Sequence, residues 1–241
     1  MKKMSIFLAA LLVFSMIPAA AFAQEAPDQA EAGSERILEN LKERAVHAIE
    51  KRLDTIERVT EALVDAEHLT DEHERRLLDE LSLSAIGLTE LSREIEATET
   101  IAEIWELIPK IFEDYRIYVV MVPKAHLVVV ADSIAAVGDR VELVEGSLED
   151  AIDRLKEAGF DTSEAEEALA VMTESLRQAG VLAGAVPDTV LTVEPSDWPD
   201  PAQGILERAH SDLRSARSQI ESAIRSAHEV GRILRDLLAG T

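Results

Sequence analysis

Histidines and carboxylates lie close together in the sequence near residue 70. His68 and His73 flank Asp71 and Glu72, and further acidic residues stand on either side. Imidazole nitrogens and carboxylate oxygens are ligands that zinc and similar metals take in proteins. His68, Asp71, Glu72 and His73 are therefore candidate metal ligands. The alternative is a hydrated corner between two helices, in which the same side chains only face water.

Other spacings that carry catalysis are incomplete. Glu207 and His210 have the Glu-x-x-His spacing of a di-iron ligand pair, but a ferritin-like site requires two such motifs and the second is missing. The chain contains neither a Gly-x-Ser-x-Gly turn nor a Gly-x-Gly-x-x-Gly phosphate loop. It has no cysteine, which excludes thiolate nucleophiles and disulfides. We therefore expect no enzymatic activity and no cofactor.

Two groups of aromatic residues are candidates for binding or for packing. Trp198 stands in a proline-rich stretch, where a tryptophan can anchor a partner. The alternative is that Trp198 plugs the end of the fold. Trp105, Phe112, Tyr115 and Tyr118 lie on or near one helical stripe, and we expect this stripe to be core.

Apolar residues recur every three or four positions through most of the chain, which is the period of amphipathic helices. The most regular run is Leu206, Ala209, Leu213, Ala216, Ile220, Ala223, Ala227, Val230, Leu234 and Leu237. The sequence predicts an all-α fold, an elongated antiparallel helical bundle that resembles a coiled coil. We expect the last helix to pack on its own chain. The alternative is a homodimer through Leu206, Leu213, Ile220 and Leu234.

Residues 116–131 are ambiguous because they are rich in β-branched side chains and include Pro123. They fit either a β-hairpin that turns at Pro123 and Lys124 or a kinked, buried helix. We favour the kinked or irregular helix, because an isolated two-stranded hairpin is marginally stable and a proline bends a helix. Lys124 and His126 interrupt the apolar run, so we expect no membrane span here.

The N-terminus has the features of a secretory signal peptide. Two lysines precede an apolar stretch, and an Ala-x-Ala cleavage site ends at Ala23. We expect cleavage after Ala23 and release outside the cytoplasm. The predicted organisation is a signal peptide (1–23), a disordered leader (24–33), a helical bundle (34–184), a proline-rich loop (185–200) and a C-terminal helix (201–239).

The charge of the chain narrows the choice of partners. Its 24 basic and 47 acidic residues give a net charge of −23. Such a charge repels nucleic acids and anionic membrane surfaces, and we expect neither as a partner. An acidic surface can hold cations, and more often it keeps a protein soluble. The expected partner is an unidentified protein or a component of the cell envelope.

Three stretches together resemble secreted, largely helical proteins of high-GC Gram-positive bacteria. They are residues 87–91 (GLTEL), 114–132 (DYRIYVVMVPKAHLVVVAD) and 195–199 (PSDWP). The resemblance implies an all-helical fold and export, and it implies no activity and no site residues. Residues 69–73 (LTDEH) are similar to the LTxxQ motif of periplasmic helical chaperones related to Spy and CpxP, with His73 in place of the glutamine.

These observations lead to one expected function and two alternatives. We expect a secreted, non-enzymatic helical bundle that serves as a structural or binding module at the cell exterior. The first alternative is an acidic protein that binds cations or metals. The second is an extracytoplasmic chaperone of the Spy and CpxP type.

Overall fold

The computed structural model describes residues 27–239, with side chains from residue 33 onward, so the predicted signal peptide lies outside the described residues. The described helices are α1 (Pro27–Val64), α2 (Asp71–Ala97), α3 (Ile101–Glu113), a π-helix (Ile117–Met121), α4 (Val122–Glu157), α5 (Ser163–Val190), a 3-10 turn (Pro195–Asp197) and α6 (Ala202–Ala239). Residues 27–239 contain no β-strand, which confirms the predicted all-α class.

The helices form a bundle with α4, α5 and α6 along its length. α5 packs against both α4 and α6, while α1 packs against α2 and α3. The largest buried cluster joins α1, α2 and α3 to the first parts of α4 and α6 and the end of α5. Two smaller clusters continue along α4, α5 and α6. The 36 residues of α4 span about 54 Å, which makes the bundle elongated.

Two predicted boundaries are wrong because helices continue further than expected. α1 begins at Pro27, so the predicted disordered leader 24–33 is helical from Pro27 onward. Proline suits a first helical turn, where its missing N–H needs no partner. α5 passes through Pro187 and ends at Val190, so the predicted loop 185–200 begins only after Val190. Both residues are buried, and this burial offsets the hydrogen bond that Pro187 lacks.

Residues 116–131 are helical where the structure is regular, so the hairpin interpretation is wrong and the irregular helix is confirmed. The irregularity is the π-helix, in which the Val122 N–H donates to the Ile117 carbonyl five residues back. This wider turn lies immediately before Pro123, whose ring clashes with the preceding turn of a regular helix. The π-helix therefore lets the chain continue into α4.

The apolar seam of α6 is buried within the chain. Leu206, Leu213, Ile220 and Leu234 have exposed fractions of 8%, 4%, 7% and 7%. α4 and α5 pack against this helix, as predicted for internal packing. These four residues are therefore covered within the chain, and the alternative homodimer through them stays a prediction.

Gly87 of α2 leaves space for the ring of Tyr115. A Cβ atom at position 87 would lie 2.5 Å from the Tyr115 hydroxyl oxygen and 2.9 Å from its Cε1. Burial raises the pKa of Tyr115, and the neighbouring carboxylates of Asp114, Glu94 and Glu90 add to this effect. A side chain at position 87 and the present position of Tyr115 are therefore incompatible.

The substitution Gly87→Ala is expected to change the free energy of unfolding differently in two backgrounds. With Tyr115→Ala it should raise the free energy of unfolding by about 1 kcal/mol, because alanine is the better helix former. In the wild-type chain this gain should be lost, because the new methyl group displaces Tyr115. Urea unfolding of the four proteins measures the difference, and an equal gain in both backgrounds would contradict the contact.

One part of the described chain is long and apolar enough to cross a membrane by length and composition alone. It lies in the helical run Ile101–Glu157, and 44% of the apolar stretch is buried inside the bundle. The sequence predicts no such stretch, because charged residues interrupt the apolar run. The core helix of a soluble bundle meets the same two criteria.

Candidate functional site

The backbone between α3 and the π-helix adopts an unusual conformation at Arg116. This residue has φ 38° and ψ 42°, in the left-handed region, which costs a residue other than glycine about 1–2 kcal/mol. Its Nε atom is buried and has no hydrogen-bond partner among the described residues. Strained residues and π-turns concentrate at functional sites. The surfaces around this segment are therefore candidates for a functional site.

The aromatic stripe expected in the core lies largely on the surface. Trp105 is 57% exposed, and Phe112 and Tyr118 are each 47% exposed. Only Tyr115 of this stripe is half-buried. The buried side of α3 is formed by isoleucines, namely Ile104 and Ile111. The prediction of a core position is therefore wrong for Trp105, Phe112 and Tyr118. The isoleucine side chains, which are smaller, fill the interface of α3 with α1 and α2.

Arg52 of α1 holds two of these rings. Its guanidinium carbon lies 4.5 Å from the Phe112 ring centre and 5.2 Å from that of Tyr118. Its Nη1 donates to the Ala48 carbonyl at 2.8 Å, and the Tyr118 hydroxyl donates to the Lys51 carbonyl at 3.1 Å. Burial lowers the pKa of Arg52, which remains a cation at neutral pH. These cation–π contacts attach α3 and the π-helix to α1.

A buried ion pair joins α4 to α2. Lys124 is 2% exposed, and its Nζ donates to a carboxylate oxygen of Glu80 at 2.6 Å. A cavity of about 360 Å³ opens beside the pair, and Arg76 and Leu191 line it. Arg76 Nη2 donates to the Leu191 carbonyl at 3.0 Å. The ammonium and the carboxylate thus satisfy each other, and the pair acts as a tether between helices.

A second polar tether lies two turns further along α4. Asp132 is 7% exposed, and its Oδ2 accepts from the Thr70 N–H at 2.9 Å. The same oxygen lies 2.8 Å from His73 Nδ1. Thr70 also caps α2, because its hydroxyl accepts from the His73 N–H. Asp132 follows Lys124 on α4, whereas its partner His73 precedes Glu80 on α2. Helices α2 and α4 therefore run antiparallel.

The predicted set of metal ligands is not assembled. His73 bonds to Asp132, while Asp71 and Glu72 are exposed in the first turn of α2. Within residues 33–239, no group of three or more histidine, aspartate or glutamate side chains is placed to hold a metal ion. The structure therefore does not bring His68, Asp71, Glu72 and His73 together as one set of ligands. The reason is that His73 bonds to Asp132, which is distant in the sequence.

Trp198 is half-buried and packs against a small cluster. Its neighbours in that cluster are Val120, Val193 and Ala202, which come from the π-helix, the loop after α5 and the start of α6. This packing agrees with a plug that covers the start of α6. A role for Trp198 as a partner anchor stays a prediction.

An open groove runs between α4 and α6 and has a volume of about 670 Å³. Its apolar floor consists of Leu127, Val130, Ile134, Val137, Leu213 and Ile220. A second groove of about 390 Å³ lies on the other side of α4, against α1, and His126 lines both. Ligand sites have volumes of about 300–1,000 Å³, so each groove has room for a small molecule.

The rim of the α4–α6 groove is basic. Arg217 Nε pairs with a Glu221 oxygen at 3.3 Å. Arg214 Nη2 lies 3.1 Å from His210 Nε2, and Arg214 forms no ion pair with any carboxylate of the described chain. Among the described residues, Arg214 thus places a positive charge without a carboxylate partner beside the apolar floor, in a chain with 47 acidic residues.

The sequence contains a pattern that could have indicated this rim. His210, Arg214, Arg217 and Glu221 are spaced by four, three and four residues, which places them on one side of α6. In the sequence, His210 stands out only as the histidine of the Glu-x-x-His spacing that begins at Glu207, which is half of an incomplete metal motif. What periodicity does not show is that α4 lies beside this stripe.

Comparison with known proteins does not identify the ligand of this groove. The chain matches no protein-family model, no curated protein and no solved structure. Function is therefore inferred from the groove and its rim.

Proposed function

We propose that the protein is an exported, non-enzymatic helical bundle that binds a small molecule in the groove between α4 and α6. The observation that carries this proposal is the 670 Å³ groove with its apolar floor and basic rim. Export is supported by the signal-peptide pattern that ends at Ala23. Function at the cell exterior follows from export.

The floor of the groove favours a ligand with an apolar part. Val130, Ile134 and Val137 are only half-buried, so a ligand that covers them gains about 25 cal/mol per Å² of apolar surface removed from water. The tethers at Lys124 and Asp132 hold α4 on α2. A groove whose wall is already held in place binds at a smaller entropic cost.

The side chains of the groove support binding rather than catalysis. The Ser133 hydroxyl donates to the Val129 carbonyl at 2.7 Å, and His210 Nε2 bonds to Arg214. A nucleophile requires a base within hydrogen-bond reach, and the recorded bonds of Ser133 and His210 join them to other groups. The groove thus provides surface and charge rather than an activated nucleophile.

The test uses the exported chain recovered from the culture medium, whose mass should correspond to a first residue at Gln24. The neutral fluorescent probe N-phenyl-1-naphthylamine should bind with one-to-one stoichiometry. Ser133→Phe places a bulky side chain in the groove and should abolish that binding. Leu143→Phe is the matched control, because Leu143 lies on the same helix and is 76% exposed.

The outcomes separate the possibilities. Saturable binding that Ser133→Phe removes and Leu143→Phe retains supports the proposal. Equal binding by all three proteins would show that the probe binds elsewhere, and it would overturn the groove as the site. Failure of the wild-type protein to bind the probe would overturn the proposal as well.

A further inference from the structure

We infer that the ligand of the α4–α6 groove is a free single-chain anionic amphiphile, with its carboxylate bound by Arg214 and its alkyl chain along the floor. This inference rests on the proposed function and specifies the class of ligand.

The rim of the groove carries one positive charge that no carboxylate in the described part of the chain balances. Arg217 and Glu221 neutralise each other at 3.3 Å, which leaves the guanidinium of Arg214 as the unbalanced charge of the rim. A guanidinium presents parallel N–H donors that match a carboxylate in two-point contact. The protein as a whole has a net charge of −23, which repels anions in general. Arg214 attracts an anionic head group at this one position.

The groove has two distinct ends, because the two helices that form it run in parallel. Gly138 of α4 lies close to Ile220 of α6, because the Ile220 Cδ1 is 3.9 Å from the position of a Cβ at residue 138. Since α5 connects α4 to α6 in the chain and packs against both of them, α4 and α6 run in the same direction. His126 and His210 therefore stand towards one end of the groove and Val137 and Ile220 towards the other. Arg214 follows His210 by one turn.

The alkyl chain would lie on the apolar floor beyond Arg214. Ile134, Val137 and Ile220 continue the floor there, and the paired side chains of Arg217 and Glu221 line its edge. His126 and Val137 are eleven residues apart, which is about 16 Å along α4. An extended alkyl chain of medium length fits this distance. The α4–α6 groove takes one alkyl chain along its length, and the second groove lies on the other side of α4, against α1.

The net charge also decides between a free amphiphile and a membrane surface. A protein of charge −23 is repelled by an anionic bilayer. A monomeric amphiphile carries one charge, and that charge meets Arg214 directly. The ligand is therefore a dispersed molecule rather than a lipid headgroup in a bilayer.

The experiment measures binding of dodecanoate below its micelle concentration by calorimetry, with dodecanol and dodecyltrimethylammonium as neutral and cationic comparators. Dodecanoate should bind most tightly. Arg214→Gln should weaken dodecanoate binding about tenfold or more, because a charged hydrogen-bonding pair is lost, and should leave dodecanol binding unchanged. Arg225→Gln, an exposed arginine on the same helix outside the groove, should behave as wild type.

Each alternative outcome has a definite meaning. If dodecanol and dodecanoate bind equally and Arg214→Gln has no effect, the groove binds apolar chains and the anionic head group is wrong. Preference for dodecyltrimethylammonium would overturn the inference by reversing the sign of the charge. Binding only to phosphatidylglycerol vesicles would assign the surface to membranes instead. If neither these ligands nor N-phenyl-1-naphthylamine binds, the proposed function itself fails.

Discussion

Glu80→Ala is expected to lower the free energy of unfolding by about 3 kcal/mol, because it leaves the buried Lys124 ammonium without a counter-ion. Lys124 is 2% exposed and its Nζ lies 2.6 Å from the Glu80 carboxylate. Glu80 itself is 29% exposed, so water reaches part of the pair and the loss should fall at the lower end of the range for buried pairs. Urea unfolding followed by circular dichroism measures the change.

Two further variants make this prediction specific. Lys124→Met replaces the ammonium with an apolar side chain of similar length and leaves only the carboxylate of Glu80, which water reaches. It should therefore lower the free energy of unfolding less than Glu80→Ala does. Glu174→Ala removes the carboxylate of an exposed pair with Arg177, whose side chains are 52% and 62% exposed, and it should change stability little. If Glu80→Ala costs no more than Glu174→Ala, the Lys124 pair is not a tether.

Ala216→Leu is expected to lower the free energy of unfolding by about 2–3 kcal/mol, because the larger side chain has no space at the centre of α6. Ala216 is fully buried, as is Ala223 one heptad further on. Alanine at these positions lets neighbouring helices approach closely. Leucine would have to separate the helices or adopt a strained rotamer. Thermal and urea unfolding both measure the loss.

Ser218→Leu is the matched control for this prediction. Ser218 lies two residues away on the exposed side of the same helix, where leucine is the better helix former and meets no neighbour. Its stability should therefore stay near that of the wild-type protein. A chain that gains stability from Ala216→Leu would show that α6 does not pack closely at this level.

The two tethers between α2 and α4 also shape the proposed binding site. Lys124 and Asp132 are two turns apart on the side of α4 that faces α2. Val130, Ile134 and Val137 stand on another side of the same helix and line the groove. These contacts fix how α4 is rotated about its own axis, and they thus determine which of its residues face the ligand. A helix held only by apolar contacts has less restriction on this rotation.

Local features of the structure follow directly from the sequence. Thr70 caps α2, as its position before an acidic first turn predicts. Gly159, with φ 87°, ends α4, and the Phe160 N–H bonds back to the Leu155 carbonyl as in a glycine-terminated helix. The seam of α6 is buried as its spacing predicts. These features depend on neighbours within a few residues, and periodicity and capping chemistry report such neighbours well.

The features that concern function depend on residues far apart in the chain. His73 bonds to Asp132, which is 59 positions away in the chain. The local cluster of histidines and carboxylates therefore suggests a set of metal ligands that the fold does not bring together. The groove exists because α4 and α6 lie side by side along their first halves. The amino-acid sequence by itself determined the all-α class, the caps at Thr70 and Gly159 and the buried seam of α6, because these arise from short-range periodicity and capping. Only the tertiary structure decided which polar groups pair and where an apolar surface stays uncovered, because both depend on how the helices pack.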